Sequence, residues 1–190
     1  VRRADPRERR IRAGERVGVM AFGHADQLLR PQPGPRGALA VCGALADWDA
    51  QATSQRIEPL SAALTRANRV SHGASRVLLI SDGFSCDAPA RQRLLDLTRH
   101  AGLSVLIVAD ALELSLPPAG RYPLDNDAER CDVLLHSERQ RGDFKRALGA
   151  GSERLRELAG SLGLRCREID TVADPHDVVV GLFGDAGASR

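Results

Sequence analysis

The chain has 190 residues, 43% of them hydrophobic and 27% charged, with a formal net charge of +2. That is an ordinary globular composition for one domain with a sizeable core. It excludes a disordered chain, a collagen-like repeat and a small disulfide scaffold, and the balanced charge demands neither nucleic acid nor an anionic membrane as partner.

The basic terminus (Arg2, Arg3, Arg7, Arg9, Arg10, Arg12, Arg16) is interleaved with Asp5, Glu8 and Glu15. With so few aromatic residues in the chain, stacking recognition of bases is not expected, and the segment reads as a solvated, partly helical end. It lacks the apolar core of a signal peptide. The first strand is expected over Arg16-Val17-Gly18-Val19-Met20-Ala21-Phe22, after Gly14. Residues 32–37 (Gln-Pro-Gly-Pro-Arg-Gly) read as a turn or loop, and a helix is expected over 37–48. A shorter helix follows over 59–68, with Leu60 and Leu64 on one side.

Two apolar runs, Val77-Leu78-Leu79-Ile80 and Val105-Leu106-Ile107-Val108-Ala109, follow Gly73 and Gly102. They are far short of the ~20 residues of a membrane span and read as strands buried on both faces. Between them, residues 88–101 form a helix, with Asp87 a candidate cap and Pro89 near the first turn. Residues 112–132, rich in proline and ending near Asp125-Asn126-Asp127, break the alternation and read as a hairpin returning through 131–136. Phe144, Leu148, Leu155, Leu158 and Leu162 then mark one face of a single long helix from about Ser137, weakened by Gly149 and Gly151. A strand over 164–169 and a helix over 175–183, capped by Asp174, complete the chain. Helices alternating with buried strands give a parallel sheet with helices on both faces.

Ligands of such sheets gather at the carboxyl ends of the strands. Two strands end there in carboxylates, Asp82 and Asp110. On neighbouring strands they would suit one Mg²⁺; otherwise Asp82 caps its loop and Asp110 is a solvated acid. Asp125, Asp127 and Glu129 alternate like a calcium loop, but Arg130 and His136 stand where its Gly and Glu belong. There is no G-x-S-x-G and no P-loop; Gly149-Ala150-Gly151 begins a dinucleotide fingerprint, but Arg154 replaces its third glycine. His24, His72, His100, His136 and His176 are scattered and read as surface residues. Cys42, Cys86, Cys131 and Cys166 contain no C-x-x-C pair, and are expected as four buried thiols of a reducing cytoplasm, with two disulfides as the alternative.

The string from Gly14 to Gly23 (Gly-Glu-Arg-Val-Gly-Val-Met-Ala-Phe-Gly) resembles the second strand of von Willebrand factor type A domains. Val77-Leu78-Leu79-Ile80-Ser81-Asp82-Gly83 resembles their fourth. The order of features is similar to the uncharacterised bacterial family known as domain of unknown function fifty-eight, commonly encoded beside MoxR-type AAA ATPases. Those features are the Arg-Val-Gly strand, Pro35-Arg36-Gly37, the Ser-Asp strand end, Ala111-Leu112-Glu113-Leu114-Ser115-Leu116-Pro117, the acidic hairpin and the long helix.

The resemblance spans roughly residues 11–183. It implies a Rossmann-like sheet with a metal-ion-dependent adhesion site at its carboxyl edge, one 1–190 domain, and a protein partner such as the ATPase. Of that site's three parts, only the aspartate maps, onto Asp82. Glu58 and Pro59 hold the threonine's place, with Thr53 and Ser54 weak substitutes, and the D-x-S-x-S loop and the central first strand are missing from the sequence. Either they lie upstream of Val1, in which case the chain is the C-terminal part of a longer protein that an upstream segment could anchor to a membrane, or the site has been lost. The expected function is therefore a non-enzymatic, cytoplasmic protein-interaction domain, without nucleic acid or membrane contact by this segment, binding Mg²⁺ weakly or not at all. The alternative is a Mg²⁺-dependent phosphotransfer or hydrolytic enzyme using Asp82 and Asp110.

Overall fold

In a computed structural model of the protein, residues 15–23, 27–50, 58–73, 76–126, 129–176, 178 and 182 are described, those at 125, 126, 129 and 130 by their backbone alone. The chain forms two compact units, Val1–Val70 and Ser71–Arg190.

In the first unit, β1 (Arg16–Ala21) pairs antiparallel with β2 (Gln27–Pro33), and the helices α1 (Gly34–Ala50) and α2 (Leu60–Val70) follow. This corrects two expectations. The first strand joins a hairpin instead of the parallel sheet, and residues 32–37 are not a loop: Gln32 and Pro33 close β2, and α1 starts at Gly34. Proline is tolerated here because a two-stranded ribbon leaves each strand one edge without ladder bonds. The register shifts between Val17 and Val19; at Gly18 in that bulge a Cβ would lie 2.7 Å from the Leu29 carbonyl oxygen and 2.9 Å from the Pro31 nitrogen. Ahead of α2, Glu58 makes a two-pronged ion pair with Arg66, at 3.0 and 2.6 Å, and its main-chain N–H donates to the Gly23 carbonyl.

The second unit is built on a parallel sheet ordered β3 (Arg76–Ser81), β4 (Gly102–Ala109), β7 (Arg165–Asp170). β4 is central, which is why it is apolar on both faces: Val105 and Ile107 are fully buried on one side and Leu106 nearly so on the other. Leu106 and Ile169 pack with Leu78, Val108, Val178 and Leu182, the last two being helical residues near the C-terminal end. The opposite face carries Glu168, which pairs with Arg156 of α6 (Ala150–Ser161). Helices therefore cover both faces, as the alternation of elements implies.

The helix α3 (Ala90–Thr98) buries Ala90, Leu94 and Leu97. Its cap is Pro89, with no side-chain bond, and the Asp87 carbonyl accepts from the Ala90 N–H. After β4 come a single turn, α4 (Ala111–Leu114), and the expected hairpin of β5 (Gly120–Asn126) and β6 (Glu129–Leu135). One face of this hairpin rests Tyr122 on Phe144, ring centroids 5.9 Å apart; the other exposes the Arg121–Asp132 ion pair.

The predicted single long helix is two: α5 (Glu138–Leu148) and α6, with Gly149 ending one and beginning the other. Ser137 caps α5 through a reciprocal box with Gln140. The expected burial of all four cysteines also fails: Cys42 and Cys131 are exposed, Cys86 and Cys166 half-buried, and all are free thiols. Among the described residues no helix is long and apolar enough to cross a membrane.

Candidate functional site at the carboxyl edge of the sheet

β3 and β4 are neighbours, so Asp82 and Asp110 do leave the same sheet edge side by side in strand order. Ser81 pairs with Ile107, which leaves Asp82 level with Val108 and Asp110 two residues further on, an offset of about 6.6 Å along the strands. Each carboxylate is engaged where it stands. Asp82 accepts from the Phe84 N–H at 3.1 Å. Asp110 accepts from the Leu112 N–H at 2.9 Å and forms a capping box with Glu113. The third strand repeats the arrangement: Asp170, at the end of β7, accepts from the Val172 N–H at 2.8 Å. Sequence reading missed Asp170, because the expected strand stopped at Ile169. All three are aspartates at a strand end that bond the amide two residues on, the local turn that favours Asp where a strand must stop.

The loop after β3 is set by two glycines. Gly83 has φ +82°, and a Cβ there would lie 2.1 Å from the Gly151 carbonyl oxygen and 2.9 Å from the Leu155 Cβ. A Cβ on Gly151 would lie 2.8 Å from the Asp82 carbonyl oxygen and 2.8 Å from the Phe84 nitrogen. The glycines that begin a dinucleotide fingerprint on paper thus serve packing: the first turn of α6 rests directly on the backbone of Asp82, Gly83 and Phe84. Cys86 closes the same turn, its N–H donating to the Gly83 carbonyl. Burial, then Asp87, and more weakly Asp82, push its thiol up to about 11 against the pull of Arg154. At neutral pH it is a protonated thiol, not a nucleophile.

The metal-ion-dependent site implied by the resemblance needs three contributions, and the residues present do not fit it. The D-x-S-x-S loop is missing from the sequence. At the threonine's place Glu58 is held by Arg66 and accepts from the Gly23 N–H, and Thr53 and Ser54 lie outside the described residues. Among the described residues no three His, Cys, Asp or Glu side chains gather as a metal-binding group. The Asp127 position of the calcium-loop pattern, His24 and residues 2–12 of the basic terminus also lie outside them, while Arg16 opens β1 and donates to the Pro31 carbonyl. His72 and His100, distant in sequence, come together with ring centroids 5.6 Å apart on the surface.

The family model for proteins of unknown function DUF58 matches residues 9–154. The chain belongs to the DUF58 family. This DUF58 chain is similar to the crystal structure of the conserved hypothetical protein BatB from Bacteroides thetaiotaomicron, with a TM-score of 0.55 and 12% identity over 96% of this chain and 85% of that one. At that identity the likeness carries the fold alone, a mixed α/β architecture with a parallel sheet flanked by helices. None of the curated proteins matches this DUF58 chain.

Proposed function

We propose that the chain is a non-enzymatic, cytoplasmic protein-interaction domain whose partner is a MoxR-type AAA ATPase, and that it recognises that partner without a tightly held cation. The observation that carries this reading is the local engagement of the strand-end aspartates: Asp82, Asp110 and Asp170 each bond a main-chain N–H of their own turn. Each uses one carboxylate oxygen for its own turn, and among the described residues no group of three His, Cys, Asp or Glu side chains forms that could hold a cation. The choice of partner rests on the family, which is analogy. On this reading Asp82, at the place of the adhesion site's strand-end aspartate, serves as a turn former.

β3 stands out among the strands of its sheet. Its run Val77-Leu78-Leu79-Ile80 has the composition of an interior strand, yet among the described residues β3 is a sheet edge, and Ile80 is 51% exposed. Natural edges are normally guarded by charge or proline; β7, the opposite edge, carries Arg165, Arg167 and Glu168.

The test is Asp82→Asn, which keeps the acceptor oxygen for the Phe84 N–H and removes the charge a cation needs. Biolayer interferometry against the MoxR-type ATPase in Mg²⁺ is expected to show saturable binding, with Asp82→Asn within about 2-fold of wild type. Absence of binding, or its loss in Asp82→Asn, would refute the proposal.

A further inference from the structure

His72 and His100 are far apart in the sequence and stand together in the fold. Each sits in a turn that leads into a strand. His72 comes shortly before Arg76, which opens β3, and His100 shortly before Gly102, which opens β4. β3 and β4 are parallel neighbours, and Arg76 pairs with Gly102. The two turns therefore meet at the amino edge of the sheet, opposite the strand-end aspartates. The backbone of each is set locally. Gly73, with φ +84°, shapes the first turn. In the second, the Leu97 carbonyl accepts from the N–H groups of His100 and Ala101, and Leu97 is fully buried.

The ring centroids are 5.6 Å apart and the planes are tilted by 37°. This is neither a parallel stack nor an edge-to-face pair, the arrangements in which aromatic rings gain most. Both residues are exposed, and among the described residues neither ring has a hydrogen bond or an ion pair. Two imidazoles with open nitrogens are the ligand type that Zn²⁺ and its neighbours in the transition series take and that Mg²⁺ passes over. The spacing agrees. With about 2.1 Å from Zn²⁺ to each nitrogen and a tetrahedral angle, the centroids of two ligated rings lie roughly 5 Å apart. A small rotation about χ2, a broad torsion in histidine, closes the difference. Asp96, the carboxylate nearest to His100 in the sequence, lies within ion-pair distance of Arg93 and Arg99, so the remaining positions around such a cation fall to water.

We propose that His72 and His100 form a two-histidine site for Zn²⁺ or a similar divalent transition cation, completed by water. It lies at the other edge of the sheet from Asp82 and takes another class of cation, so it stands apart from the reading of the aspartates. With two protein ligands its Kd is about 10–100 µM.

Calorimetric titration with Zn²⁺ tests it, on the 190-residue chain carrying Cys42→Ser and Cys131→Ser so that the exposed thiols do not compete. One Zn²⁺ per chain is expected. His72→Ala and His100→Ala each weaken binding about 10-fold or more, and His136→Ala, at another exposed histidine, leaves it within about 2-fold. Both rings of the pair are exposed, so the metal-free melting midpoint of either variant stays at the value of its parent, which separates loss of a ligand from loss of the fold. Binding weaker than about 1 mM, binding indifferent to either His72→Ala or His100→Ala, or an equal loss in His136→Ala each overturns the proposal.

Discussion

Gly83→Ala destabilises the protein by about 3–5 kcal/mol, the sum of a backbone cost and a packing cost. The backbone cost arises at φ +82°, where a Cβ crowds its own carbonyl. The packing cost arises because that Cβ would stand 2.1 Å from the Gly151 carbonyl oxygen, part of a helix that cannot retreat without lifting Leu155 off the core. Gly73→Ala is the matched control: its φ is +84° and nothing lies within 4 Å of the added atom, so only the backbone cost of about 1–2 kcal/mol applies. Thermal denaturation is expected to show Gly83→Ala melting roughly 10 °C below wild type, with Gly73→Ala shifted by less than half as much. Equal shifts for the two would show that the approach of α6 to the strand-end loop is not tight.

Leu155→Ala costs about 3 kcal/mol. Leu155 is fully buried, its Cβ lies beneath Gly83, and its neighbours on the same helix face, Gly151 and Ala159, are too small to fill the space it would leave. The cavity would open beneath the loop that carries Asp82, so the loop and the core lose support together. Urea titration is the check: a midpoint shift equivalent to less than about 1 kcal/mol would mean that the site collapses around the smaller side chain, and that α6 does not brace the loop as described.

Elements whose burial is written into their composition were legible in the sequence. β3, β4 and the hairpin after β4 lie where apolar runs, glycines and prolines place them, and Ser137 and Asp174 cap as their positions suggest. Elements made by partners were not legible. β2 contains Arg30-Pro31-Gln32-Pro33, a string with the propensity of a loop, and is a strand because β1 pairs with it. The break at Gly149 was hidden by the spacing of Phe144, Leu148, Leu155 and Leu162, since a single glycine shared by two helices leaves an apolar rhythm nearly unbroken. Cys42 was expected inside on composition, yet it is exposed on α1.

The sheet edge divides in the same way. That Asp82 and Asp110 leave neighbouring strands follows from the order of elements. That each then turns back to a main-chain N–H of its own loop is a matter of side-chain geometry, and Asp170 becomes comparable only when β7 is seen to end there.

The account rests on the claim that these aspartates hold turns and not a cation. Isothermal calorimetry of Mg²⁺ into the wild-type chain and into Asp82→Asn tests that claim most directly. No binding heat above dilution is expected for either protein, with any affinity weaker than about 1 mM, a free energy of about −4 kcal/mol. A micromolar affinity in the wild type that disappears in Asp82→Asn would contradict it and make the carboxyl edge a metal-dependent site.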